Sequence, residues 1–241
     1  MKLKKRRLLA VIMALVGVAA WVICNPASYE RFYTLAENTG EDYGAIAVSE
    51  PDANAPLAVD ILEKLEVKGR APKTGYKRDE FYSEWPMVDG CNLRQRIIKR
   101  EFGDTAVLDG CNVMAGEYDE PYTGEHKVFT TREEISNGVQ IDHVVALSDA
   151  WQKGAQYMPA DVRYNIATDP LNLLAVDAAA NEKKSDGDAA TWLPANKKFR
   201  CQYVARQVSV KYKYGLWVTK AEKEAIARIL EKCPNEPAIG V

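Results

Sequence analysis

The spacing of apolar positions divides the chain into elements of two periods. From Asn92 to Phe102, Leu93, Ile97 and Ile98 form an apolar stripe among charged residues, which predicts a helix. Val139 to Leu147 is apolar and β-branched and predicts a strand, interrupted by the polar pair Asp142-His143. Ser148 to Gln156 predicts a short helix, Leu171 to Val176 a second strand, and Ala178 to Lys184 a helix of good helix formers. Phe199 to Tyr214 mixes aromatic, β-branched and basic residues and fits either period. Thr219 to Cys233 is amphipathic, with Thr219 as cap and Glu222 three residues on, the spacing of a capping box. The class these elements imply is α+β, with no internal repeat.

The first 67 residues have a different character. Lys2, Lys4, Lys5, Arg6 and Arg7 precede the apolar run Leu8 to Cys24, the order of an export signal. The run approaches the length of a membrane span. Two outcomes stay open for residues 1–24: cleavage after Ala20, or retention as an N-terminal anchor with membrane contact through residues 8–24. Residues 25–67 are acidic and rich in small residues, with one short helix around Ala55 to Leu62, and read as a solvated stalk. Of 34 acids and 32 bases, nine and seven lie before Lys68, so residues 68–241 hold 25 of each. This third segment is the expected folded domain. It is neutral, with clustered bases such as Lys73, Lys77 and Arg78, so local patches rather than overall charge would follow a phosphate backbone.

Cysteine usage agrees with export. Cys91, Cys111, Cys201 and Cys233 are an even set downstream of the leader. Four cysteines allow three connectivities. Cys91–Cys111 and Cys201–Cys233 are favoured because each pair closes a short local loop. No Cys-x-x-Cys knuckle supports metal ligation instead.

The chain has two histidines, His126 and His143. His126 falls in a polar stretch and reads as a surface-loop residue. His143 follows Asp142 inside an apolar strand, where burying two polar side chains is costly unless they are used. Adjacent strand residues point to opposite faces. For both to serve one site the strand must end or bend there, or one must act through a neighbour. A satisfied core histidine is the plain alternative. Downstream lie Asp169-Pro170-Leu171-Asn172 and Asn181-Glu182-Lys183-Lys184-Ser185-Asp186.

The order Asp-His, then Asn, then Asn on a following helix resembles the HNH, or ββα-metal, endonucleases. The fuller series resembles exported bacterial proteins of that family, related to the C-terminal domain of GmrSD-type restriction enzymes. It comprises Asp142-His143-Val144-Val145, Trp151, Gly154-Ala155, Asn172-Leu173, Asn181 to Lys184, Trp192-Leu193-Pro194 and Cys201-Gln202-Tyr203, with Pro121-Tyr122-Thr123-Gly124 and Cys91-Asn92-Leu93-Arg94 upstream. The resemblance covers about Tyr76 to Cys233. It implies a ββα-metal core with surrounding helices and a metal-dependent endonuclease acting on nucleic acid, DNA before RNA, in a secreted or membrane-anchored bacterial protein. Catalysis would rest on His143 as general base, with Asn172 pinning its loop. Mg²⁺ or Mn²⁺ would sit on Asp142 and Asn181, whose oxygens suit a hard cation. Arg94, Lys183 and Lys184 would meet phosphates.

Other enzyme classes find little in the chain: no Ser-centred triad motif, phosphate-binding loop or dinucleotide fingerprint is present. No protein partner is expected. The main alternative is a catalytically silent module on the same fold that binds nucleic acid or the cell surface.

Overall fold

The computed structural model describes residues 55–240. The expected leader and residues 25–54 of the expected stalk lie outside the described residues. The stalk's last stretch does not behave as one. Helix α1 (Ala58–Lys64) buries Ala58, Ile61 and Leu62 in the core, and the Ala58 amide donates to the Glu236 carbonyl oxygen at 2.9 Å. Among the described residues no helix is long and apolar enough to cross a membrane.

A small hairpin follows, β1 (Met87–Val88) with β2 (Cys91–Asn92). Asn92 caps α2 (Leu93–Phe102) by accepting from the Arg94 amide, and the expected stripe of Leu93, Ile97 and Ile98 is buried. Strands β3 (Val107–Asp109), β4 (Asn112–Asp119) and β5 (His126–Phe129) form an antiparallel sheet. A capping box of Thr131 and Glu134 then starts α3 (Arg132–Gly138).

The centre of the molecule is the antiparallel pair β6 (Val139–His143) and β7 (Leu173–Asp177). Between them the chain makes α4 (Leu147–Gln152) and α5 (Ala160–Thr168). Strand β7 runs straight into α6 (Ala178–Lys184), where the Asp177 side chain accepts from the Ala180 amide as cap. Chain order here is strand, strand, helix.

Two long helices complete the domain, α7 (Arg200–Tyr214) and α8 (Lys220–Leu230). The ambiguous stretch is helical because α7 is enclosed: Tyr203 through Lys211 are all buried, so no solvent face marks its period. Its polar residues find partners inside instead, Gln207 on the Val144 carbonyl oxygen and Lys211 on Asp149. The capping box of Thr219 and Glu222 forms as expected.

The cysteines lie at disulfide distance in the favoured pairing. Cys91–Cys111 ties β2 to the β3–β4 turn, and Cys201–Cys233 ties the first turn of α7 to the residues after α8. Both faces of the β6–β7 pair are covered. Leu174 and Val176 pack with α1, α7 and α8, while Val139, Ile141, Leu173 and Ala175 pack with α2 and β4.

Candidate functional site

Register separates the Asp-His pair. Asp142 lies across from Leu174 and His143 across from Leu173, and those two leucines belong to opposite faces of the hairpin. Strand β6 ends at His143 without folding the two side chains together.

On one face, the Asp142 carboxylate is closed by two donors. Lys184 Nζ, at the end of α6, donates to Oδ1 at 2.8 Å, and the Tyr122 hydroxyl donates to Oδ2. All three residues are buried. Burial pushes the Asp142 carboxyl up from its ordinary pKa, while the Lys184 charge and both hydrogen bonds pull it back. Tyr122 is held well above the ordinary phenol range by burial and by the neighbouring Asp142. The Pro-Tyr-Thr-Gly segment places that hydroxyl. Buried Glu120 accepts from the Tyr122 and Asp177 amides, both at 3.0 Å, anchoring the segment to the β7–α6 junction. Gly124 turns with φ +79°, and a side chain there would meet Asn196 at 3.0 Å.

On the other face, the His143 ring stacks on Trp85, with centroids 5.9 Å apart and planes 7° apart, and lies beside Tyr82. Its Nε2 is 2.9 Å from the Ala167 carbonyl oxygen. A carbonyl oxygen only accepts, so Nε2 carries the proton and Nδ1 keeps the lone pair. Burial lowers the His143 pKa to about 3, opposed by the Ala167 bond and assisted by the charges of Arg78 and Lys184. The imidazole is therefore neutral at physiological pH.

Asn172 is fully buried and ties the segment after His143 to the start of β7. Its Oδ1 accepts from the Val145 amide at 2.8 Å, and its Nδ2 donates to the carbonyl oxygens of Ile166 at 2.9 Å and Val145 at 3.3 Å. Its own carbonyl oxygen accepts from the Val144 amide at 2.8 Å. Two guanidiniums grip the neighbouring carbonyls: Arg100 those of Pro170 and Leu173, Arg206 that of Leu171.

The remaining expected residues scatter. Half-buried Asn181 donates from its amide to Gln140 Oε1 at 2.8 Å, on the Asp142 side of the hairpin. Lys183 is exposed. Lys184 departs from expectation: it is buried and ion-paired with Asp142, so it presents no ammonium to a phosphate. Arg94 is half-buried and donates to the Val139 carbonyl oxygen at 3.1 Å. His126 is exposed beside Asp119 at 2.8 Å.

A divalent ion between Asp142 and Asn181 does not fit this arrangement. Both Asp142 oxygens already accept from protein donors. A dication on that carboxylate would also stand about 4 Å from the Lys184 ammonium, a repulsion on the order of 8 kcal/mol at an effective dielectric of about 20. The groups nearest His143 come from a stretch the motif reading passed over. Tyr82 and Trp85 pack against the ring, and the Arg78 guanidinium is bonded to the Tyr82 hydroxyl. The basic cluster Lys73, Lys77, Arg78 was their one visible signal.

Two further features lie near the Asp142 face. A cleft of about 430 Å³ is lined by Arg70, Lys183, Lys184, Asp186, Thr191 and Trp192, with the Gly187 backbone. Behind it, Lys153 and Lys211, both fully buried, share the carboxylates of Asp149, Asp188 and Glu222 at 2.6–3.1 Å, and Arg70 reaches the same group from the surface. Three cations balance three carboxylates. Lys153 and Arg70 hold the Asp188 carboxyl down at about 2 against the opposing effect of burial.

Residues 94–229 match the family profile of the GmrSD restriction endonucleases, C-terminal domain. The chain is also 34% identical over 183 residues to a protein of Arthroderma benhamiae named as an uncharacterized secreted protein. That alignment covers 75% of this chain and 86% of the other. This relative is fungal, whereas the sequence motifs resembled bacterial proteins. No solved structure matches the chain.

Proposed function

Because the chain belongs to the family of the GmrSD restriction endonuclease C-terminal domain, we infer that it is an endonuclease that hydrolyses phosphodiester bonds of nucleic acid, DNA before RNA, outside the cytoplasm. The secreted relative and the two disulfide-distance cysteine pairs support the compartment. The strand–strand–helix order of β6, β7 and α6 supports a ββα core.

The observation that carries the reading is the bond between His143 Nε2–H and the Ala167 carbonyl oxygen. It fixes the tautomer and leaves Nδ1 as a neutral acceptor. A water at Nδ1 gives up its proton there while its oxygen attacks phosphorus, and the P–O bond to the leaving oxygen breaks, that oxygen taking a proton from solvent. A ring that titrates near 3 is a weak base, so the step requires the negative charge of a bound phosphate to raise the His143 pKa. Asn172 holds the loop that follows the base. Exposed Arg78, whose guanidinium is bonded to the Tyr82 hydroxyl next to the His143 ring, would meet the phosphate there, and Lys183 would serve the α6 side of the hairpin. Arg94 keeps a supporting place through the Val139 carbonyl oxygen. Nucleases of this kind commonly use a divalent ion, which when bound neutralises the phosphoryl charge. The closed Asp142 provides no ready seat for it.

A second reading, the catalytically silent binding module, is favoured by the burial of His143 and the closure of Asp142. One experiment separates them. Purified, oxidised protein is incubated with plasmid DNA and with RNA in Mg²⁺, Mn²⁺ or EDTA, beside His143→Ala. Cutting that disappears in His143→Ala supports the nuclease. Retention of nucleic acid without cutting in any metal supports the silent module, and cutting that survives in the variant removes His143 as the base.

A further inference from the structure

We propose that Lys184 is the resident cation of the Asp142 carboxylate, and that Tyr122, Asp142 and Lys184 are positioning residues for the His143 backbone, so that any divalent ion this protein takes up is bound without Asp142. The positioning half rests on the reading of His143 as base. The charge half stands without it.

The argument starts from burial. Lys184 is fully enclosed, and an enclosed ammonium needs a countercharge and hydrogen-bond acceptors. The structure gives it both: Asp142 Oδ1 at 2.8 Å and the His143 carbonyl oxygen at 2.9 Å. Lys184 is also the last residue of α6, where the helix dipole favours a cation. The pairing is one charge for one charge. If a divalent ion took over the carboxylate, Lys184 would be left uncompensated in the core.

The other oxygen is equally committed. Tyr122 stands in an aromatic cluster with Trp192 and Tyr203, and its backbone is tied to Glu120. Its hydroxyl cannot leave Asp142 Oδ2 without disturbing that packing.

The consequence for His143 lies in one peptide unit. The carbonyl oxygen of His143 accepts from Lys184, and the next amide, that of Val144, donates to the Asn172 carbonyl oxygen at 2.8 Å. The peptide that follows the base is pinned at both of its polar ends, from α6 on one side and from the entry to β7 on the other. Asp142 keeps the Lys184 ammonium in place for this. The adjacent Asp-His pair then serves one site from two faces: the histidine points at the chemistry, and the aspartate points away and holds the lysine that fixes the histidine's backbone.

The test uses the full oxidised chain as wild type, Asp142→Asn, Lys184→Met and the charge-neutral double variant. Mn²⁺ binding is read from the free-ion EPR signal, stability from thermal melts, and kcat and KM from plasmid cleavage. The expected result is a Mn²⁺ affinity within twofold of wild type in the double variant, with both single variants melting lower than the double. The double variant should also cut with kcat at least tenfold lower and KM within twofold, the split a displaced base produces. A tenfold or greater loss of Mn²⁺ affinity in the double variant overturns the proposal. So does a double variant that melts as low as the sum of the single losses predicts. Should the single variants fail to fold, the double variant decides alone through its Mn²⁺ isotherm. A wild type that binds no Mn²⁺ agrees with the proposal, and the melts then judge the pairing. A wild type that cuts nothing sinks the nuclease reading, while the isotherm and melts still judge the charge pairing.

Discussion

Replacing Asn172 by alanine strips three hydrogen bonds from the interior in one step. The Val145 amide loses its acceptor, and the carbonyl oxygens of Val145 and Ile166 lose their donor. Asn172 is 0% exposed, so water does not replace what is lost. At about 1–1.5 kcal/mol for each buried group left unsatisfied, the folded state should lose about 3–4.5 kcal/mol. For a domain of this size that is a drop in Tm of roughly 6–18 °C. Urea unfolding of the oxidised protein measures it, with the midpoint shifted and the slope unchanged. Asn181→Ala is the control: that half-buried amide donates only to Gln140, and its loss should cost less than about 1 kcal/mol. If Asn172→Ala loses no more than Asn181→Ala, Asn172 does not brace the His143 segment and the site loses its central support. If it loses the expected amount, any activity below the new midpoint tests whether the brace also aligns His143 as the proposed base, because kcat should then fall further than the unfolded fraction explains.

Three more outcomes follow from the same interior contacts. Glu222→Gln leaves Lys153 and Lys211 in a buried group with one carboxylate too few, and should cost about 3–5 kcal/mol in urea unfolding; a loss below 1 kcal/mol would mean water enters that group. Converting Cys201 and Cys233 together to serine removes a closure spanning 32 residues and should lower stability by about 3 kcal/mol, with dithiothreitol lowering wild type further because it also opens Cys91–Cys111; a change under 1 kcal/mol in the variant would show that α7 and α8 hold without it. His143 has its pKa lowered by burial to about 3, against an unfolded value near 6.5. Its contribution is therefore full above about pH 6.5 and is lost as pH falls towards 3, since only the unfolded chain binds the proton in that window. Relative to His143→Gln, wild type should lose about 2 kcal/mol between pH 7 and pH 5; parallel curves would mean the ring is solvated.

How far the fold could be read depended on whether an element shows one face to solvent. The stripe of α2 and the capping box of α8 are surface features, and both elements appear where their patterns put them. Helix α7 hides its period because its polar residues are buried and each bonds to a partner inside the protein; Arg206, Gln207, Ser209 and Lys211 look like breaks in a strand or a solvent face until those partners are known. The sheet of β3, β4 and β5 was illegible for the opposite reason. Strand β3 is exposed along its length and carries no buried alternation, and its pairing with β4 shifts register between Val107 and Leu108. Helix α1 looked like stalk because seven residues bearing acids at Asp60 and Glu63 sit next to an acidic tract. What places them in the core is α7, more than a hundred residues away, which no local pattern contains.

The site was legible as residue types and much less so as geometry. Asp142, His143, Asn172 and Asn181 all gather around the β6–β7–α6 unit, because β6 and β7 pair antiparallel and β7 runs straight into α6. The assignment of Asp142 to a cation, however, needs Asp142 and Asn181 to share an open face, and sequence order cannot see that Lys184, one helical turn after Asn181, reaches the carboxylate first. Spacing of three on a helix puts both side chains towards the same strand, so the residue types alone leave two competitors for one carboxylate. Burial decides between them. An exposed lysine would lose little by giving way to a divalent ion, since surface pairs contribute little, whereas one sealed in the core has no second countercharge to turn to. The same reasoning moves attention to Arg78, Tyr82 and Trp85, which carry no spacing motif. They matter because His143 faces them, and the face it takes follows from the strand period that sends Asp142 the other way.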